Sequence, residues 1–173
     1  MGSQPFILTA KLPPDIHAWA DNLRRAHFPP ERNHLHAHVT LFHAFAPSLL
    51  DELCDFIPQI AREHAPPRGE ITGLMNLGKG TAIRLHAPDL LAIRREIAEH
   101  FHGMLTDQDL HDPRPHITIQ NKVTKEEAQA LQAALEPQIE PRTFAFPGLE
   151  LHRYLGGPWE LVKAVSFRGK ARG

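Results

Sequence analysis

His34-Leu35-His36-Ala37-His38-Val39-Thr40-Leu41-Phe42-His43-Ala44 and Arg114-Pro115-His116-Ile117-Thr118-Ile119-Gln120-Asn121-Lys122-Val123 are the two stretches on which the fold turns. Both alternate polar with apolar residues, so each predicts a strand with one buried face. Residues i and i+2 of a strand share a face. Each stretch therefore presents an imidazole and a hydroxyl together, His38 with Thr40 and His116 with Thr118. Val39, Leu41, Ile117 and Ile119 turn to the core, and by the same period Phe42 and Gln120 continue the polar face. The two histidines are 78 positions apart.

Outward from these strands, the chain reads as a repeat. Phe6 to Ala10 predicts a first strand, and Pro13-Pro14-Asp15 opens a helix whose Ile16, Trp19 and Leu23 share a face. After the first histidine strand, Pro47 opens a second helix with Leu49, Leu53, Ile57 and Ile60 as its apolar stripe. Strands follow at Glu70 to Leu77 and Thr81 to His86, joined by a Gly78-Lys79-Gly80 turn. Pro88-Asp89 then starts a helix with Leu90, Ile93, Ile97, Phe101 and Met104 on one face. The second histidine strand precedes a capping box, Thr124-Lys125-Glu126-Glu127, and a helix buried through Ala128, Leu131 and Leu135. Thr143 to Tyr154 and Trp159 to Phe167 predict two last strands around Gly156-Gly157-Pro158. Gly73-Leu74 and Gly148-Leu149 recur 75 positions apart, close to the histidine spacing. The expectation is α+β: one domain over 1–173 made of two lobes, approximately 1–87 and 88–173, free to exchange strands. A pseudo-twofold would set antiparallel sheets around a central cleft, with helices outside.

Composition narrows the function. A formal charge of −1 gives no strong field for a long polyanion, so recognition of one nucleic-acid end or a small ligand is favoured over backbone tracking. Arg168, Lys170 and Arg172 make only a short basic end. Cys54 is the one cysteine, which excludes an internal disulfide and suits a reducing compartment. It sits with Leu50, Leu53 and Ile57 and reads as core. No leader precedes Phe6 and no apolar run approaches the ~18 residues of a membrane span. The expectation is a cytoplasmic protein, a monomer by default, with no membrane and no obligate protein partner.

Thirteen histidines make any single one weak evidence, since chance alone supplies about 0.6 His-x-Thr triplets in this composition. The weight lies in matched context, His-β-branched-Thr-aliphatic on a strand at the same place in each half. Opening a phosphodiester needs one group to take a proton from the nucleophile and another to give one to the leaving oxygen. Two histidines across a cleft supply both near neutral pH without a metal. Threonine hydroxyls donate hydrogen bonds to the non-bridging oxygens.

The paired His38-Val39-Thr40-Leu41 and His116-Ile117-Thr118-Ile119, with Arg114-Pro115 before the second histidine, resemble the 2H phosphoesterase superfamily. Within it, they are most similar to the bacterial 2′-5′ RNA ligase and RNA 2′,3′-cyclic phosphodiesterase group. The resemblance implies a bilobal α+β fold and a metal-independent enzyme without cofactor. RNA ends or small cyclic nucleotides would be opened to 2′-phosphates, with reversible 2′-5′ ligation. It implies His38 and His116 as catalytic residues, with Thr40 and Thr118 on the phosphate. By analogy His116 activates water and His38 protonates the 3′ oxygen. Relatives often follow the second motif with an arginine, where this chain has Gln120-Asn121-Lys122. Phe42, Arg114, Gln120 and Tyr154 are further candidates for substrate contact, although a strand phenylalanine such as Phe42 is more often core, Arg114 can equally cap the strand, and Tyr154 with Trp159 can form a base platform or a cross-strand pair.

Two other readings compete. His34, His36 and His38 alternate as metal ligands do, which would make a metal-dependent hydrolase. A non-catalytic RNA-end-binding protein would use the same cleft.

Overall fold

The computed structural model describes residues 4–170. Arg172 of the basic end lies outside them. Strands are β1 (Phe6–Lys11), β2 (Val39–Phe45), β3 (Arg68–Asn76), β4 (Thr81–His86), β5 (His116–Gln120), β6 (Arg142–Ala145), β7 (Gly148–Tyr154) and β8 (Trp159–Ser166). Helices are α1 (Pro14–His27), α2 (Leu50–Glu63), α3 (Pro88–His100) and α4 (Lys125–Leu135). Proline opens α1 and α3 where an amide would be unbonded anyway. Thr124 and Glu127 close both arms of the capping box at α4.

Two four-stranded antiparallel sheets result, in the orders β2-β1-β7-β8 and β5-β4-β3-β6. The fold is thus α+β. Helix α2 packs on β7 and β8, α1 on β5, and α3 and α4 on β3. Ile16, Leu53, Ile57, Leu90, Ile93 and Ile97 from the helices, with Phe101 just past α3, join Leu8, Leu41, Ile83, Ile117, Ile119, Leu149 and Leu151 from the strands in one core. Each such side chain stabilises the fold by about 1.5–3 kcal/mol.

The sheets reveal where the repeat begins. β1 lies between β2 and β7, and β4 lies between β5 and β3. Strand β4 therefore corresponds to β1, and each unit runs strand-helix-strand-helix-strand, its last long strand crossing to the other unit's sheet. The boundary between units falls in the Gly78–Gly80 turn, seven to nine residues before the division at 87 that the helix starts suggested. At Gly80 an added Cβ would lie 2.2 Å from the Gln120 carbonyl oxygen, so the turn requires glycine.

Other expectations need correction. Residues 34–38 are not strand; β2 starts at Val39, after His38. β5 is five residues long, with Arg114, Pro115 and residues 121–123 outside it. The run Thr143 to Tyr154 is two strands in different sheets. Pro147 has no amide to continue a ladder and restrains Phe146 before it. β6 pairs with β3 and β7 with β1. Met104 is 50% exposed, beyond the end of α3. Among the described residues no helix is long and apolar enough to cross a membrane.

Candidate active site

β2 and β5 are edge strands of the two sheets and touch one another. The residues they carry have matching environments. His38, Val39, Thr40, Leu41 and Phe42 run half-buried, buried, half-buried, buried, buried, and His116 to Gln120 repeat that order. The double burial at each end has one cause. Thr9 faces Thr40 while Leu8 faces Phe42, so Leu41 is an extra residue in β2. Ala82 faces Thr118 while Thr81 faces Gln120, so Ile119 is the extra residue in β5. A bulge one position after each threonine breaks the alternation and turns the next side chain inward. Phe42 is therefore core: it is fully buried, with its ring 4.7 Å from Phe45 and under the Arg94 guanidinium at 4.2 Å. Gln120 is 5% exposed and accepts a hydrogen bond from Thr81 Oγ1 at 2.9 Å. Both are buried and neither lines the cavity beside His38.

The catalytic candidates share a second device. His38 Nδ1 lies 2.7 Å from the His36 carbonyl, and His116 Nδ1 lies 2.7 Å from the Arg114 carbonyl. A carbonyl only accepts, so Nδ1 carries the proton in both rings and Nε2 is the nitrogen left for chemistry. Each ring is thus oriented by the backbone two residues upstream. Among the described residues neither the Thr40 nor the Thr118 hydroxyl is engaged by another side chain. Burial pushes the His38 pKa down to about 4. The bond to His36 opposes that shift, while the charges of Arg24, His152 and His116 reinforce it.

The sequence reading missed the arginines that hold this arrangement. Arg24 on α1 is 3% exposed and donates to the Thr118 carbonyl at 2.8 Å, while its other nitrogens bond Asn33 Oδ1 at 3.0 and 3.2 Å. Arg94 on α3 is 2% exposed and donates to the Leu41 carbonyl at 3.1 Å and the Asp109 carbonyl at 2.6 Å. Each unit's first helix thereby braces the histidine strand of the other. One signal was available: Ile16, Ala20 and Arg24 are four apart on the stripe that α1 buries.

Other candidates are dispersed. Arg114 is exposed beside Leu74, Arg84 and Pro115, and its contact with the site is through its carbonyl. Tyr154 is 39% exposed and stands opposite Trp159 across the β7–β8 pair. It lies outside the cavity of about 480 Å³ that Trp159 and His38 line with Thr9, His17, His36 and His152. The Trp159 ring is 4.7 Å from His38 and 5.2 Å from His152. Thr9 Oγ1 is 3.1 Å from His152 Nε2, and burial lowers the His152 pKa. His34, His36 and His38 are not gathered as ligands. His36 turns to Asp21 while the His38 ring bonds the His36 backbone.

A profile of the 2′-5′ RNA ligase superfamily matches residues 12–158, a span holding both histidine strands and both bracing arginines. The chain belongs to the 2′-5′ RNA ligase superfamily. A phosphoesterase-type function follows at that level. Solved structures agree on the fold. TT0787 of Thermus thermophilus aligns with TM-score 0.67 and 17% identity, over 96% of this chain and 100% of that one. E. coli LigT complexed with NADP+ aligns with TM-score 0.60 and 16% identity, over 95% and 98%. E. coli LigT complexed with 3′-AMP gives 0.58 and 18%, over the same shares. No curated protein sequence matches the chain significantly.

Proposed function

We propose that this member of the 2′-5′ RNA ligase superfamily is a phosphodiesterase opening 2′,3′-cyclic phosphates of RNA ends or nucleotides to 2′-phosphates. The same cleft would run reversible 2′-5′ ligation, with a 5′-hydroxyl attacking in place of water and no metal or cofactor in the chemical step. The observation that carries the reading is the duplicated lock. Two imidazoles have Nδ1 tied to the backbone at 2.7 Å, each beside an unengaged threonine hydroxyl. A phosphate between Thr40 and Thr118 would receive their hydrogen bonds as charge builds on its equatorial oxygens. E. coli LigT is known complexed with 3′-AMP and with phosphate, which supports a nucleotide phosphate as the ligand.

The depressed pKa of His38 favours it as the proton acceptor, the reverse of the order the resemblance implies. At pH 7 it is neutral, with Nε2 bare. In this reading His38 takes the proton of the attacking water as its oxygen bonds phosphorus. The bond from phosphorus to the 3′ oxygen breaks, and protonated His116 supplies the proton that oxygen needs. Solvent then resets both rings. Because the base is competent above its pKa, kcat/KM rises as pH climbs through about 4, and that limb disappears with His38.

Turnover of a 2′,3′-cyclic nucleotide or cyclic-ended oligonucleotide tests the proposal. His38→Ala and His116→Ala should each lower kcat by several orders of magnitude while binding weakens far less. Phosphorus NMR should identify a 2′-phosphate, and excess chelator should leave the rate unchanged. Tight binding of cyclic-ended RNA without turnover would establish the end-binding reading. Activity abolished by EDTA and restored by zinc would establish a metallohydrolase.

A further inference from the structure

We propose that His17, Asp21 and His36 form a binding site for a divalent transition-metal ion of the Zn2+ class, in the cleft wall beside His38. Each offers one donor atom, and the three atoms lie within 4.8 Å of one another. His17 and Asp21 are four residues apart on α1, so one helical face presents both. His36 arrives from the segment running into β2. Asp21 is 7% exposed, and the Ala37 amide holds its Oδ1 at 3.0 Å, which leaves Oδ2 toward His36 Nδ1 at 3.4 Å. The two imidazole rings are 5.8 Å apart.

Two imidazole nitrogens and one carboxylate oxygen are a zinc-type donor set that leaves a fourth position open. Bonds of about 2.0–2.1 Å in a tetrahedron bring neighbouring donors to about 3.3 Å, so the set must contract. The His36 side chain is 83% exposed and free to make that movement, while His17 and Asp21 are carried by the helix. Arg25, itself 62% exposed, now shares Oδ2 at 2.7 Å. Arg25 is the exposed partner of the pair and can swing into solvent, so a metal at Oδ2 takes its place. The His36 carbonyl that orients His38 belongs to a ligating residue, and His17 and His36 line the cavity that His38 lines.

The site is independent of the phosphodiesterase reading, because binding is measured without substrate. Titration of Co2+ into the full chain, read by its visible ligand-field bands, and of Zn2+ by calorimetry, should each show one site per chain. His17→Ala and His36→Ala should each weaken that site at least tenfold. Asp21→Asn, which keeps the oxygen facing the Ala37 amide, should do the same. His34→Ala should leave it unchanged. Undiminished binding in His17→Ala and His36→Ala would overturn the assignment. So would loss of binding in His38→Ala or His116→Ala alone, which would locate the ion at the catalytic pair instead.

Discussion

His38 links the stability of the fold to its chemistry. Its pKa is about 4 in the fold and 6.5 when free, so between these values the unfolded chain binds a proton that the folded chain refuses. Stability is fully present above about pH 6.5 and is lost as pH falls through that window, by roughly 1–2 kcal/mol between pH 6.5 and 5 from this group. His152, lowered by burial too, acts with the same sign. His38→Asn cannot titrate, so its urea midpoint should fall less than the wild-type midpoint between pH 7 and 5. Equal falls would mean that the ring is not desolvated. The matched environments of His38 with Thr40 and His116 with Thr118 were legible in the sequence, because the two motifs share residue types and spacing. The lock on each ring was not, because it is made by backbone outside the regular strand, at His36 and Arg114, where no residue type announces it. Arg24 was hidden differently. An arginine at the end of an apolar stripe reads as its solvent edge, and the facing Thr118 carbonyl, Asn33 and the charge of Asp21 make its burial tolerable.

At the level of elements, β2 slips a second time against β1, between Phe42 and Phe45, and a buried carboxylate meets the amides there. Asp109 is 1% exposed and accepts from the His43 amide at 2.9 and 3.0 Å, the Ala44 amide at 3.0 Å and His43 Nδ1 at 3.1 Å. Burial alone would raise its pKa, but these hydrogen bonds outweigh it and hold the carboxylate below its usual range. Asp109→Asn turns an amide group with its own hydrogens toward backbone donors and removes the charge. The expected loss is about 1.5–3 kcal/mol in urea unfolding at pH 7, the range for hydrogen bonds to a charged group. A loss below about 0.5 kcal/mol would show that water replaces the carboxylate without cost. Nothing in the period of 34–44 foretells the bulge, since strict alternation and a one-residue slip differ only in which side of β1 each residue meets. That is why Phe42 and Gln120 were read onto the wrong face. The break at Pro147 was visible in the residue itself, yet the sheet change it permits depends on which edges are open.

Over the whole molecule, the repeat and the room for strand exchange were legible, but which strand crosses was not, because local pattern records a strand and not its neighbour. The exchange has a thermodynamic consequence. Each sheet takes strands from both units: β1 and β2 share a sheet with β7 and β8, while β3 joins β4, β5 and β6. Arg24 and Arg94 also tie each first helix to the other unit's histidine strand. Removing either unit strips both sheets, so the chain should unfold as one cooperative transition and not lobe by lobe. The two tryptophans are placed to test this. Trp19 on α1 shares a hollow with Ile71 of β3 and Arg142 of β6, at the second sheet. Trp159 opens β8 in the first sheet, against His38 and His152. Fluorescence of Trp19→Phe then reports only the first sheet, and that of Trp159→Phe only the second. Within each variant, the fluorescence midpoint in urea should coincide with that of far-ultraviolet circular dichroism, with the same slope. Fluorescence that leads or trails the loss of helix in either variant would mean that the sheets melt separately, and that the exchanged strands do not couple them.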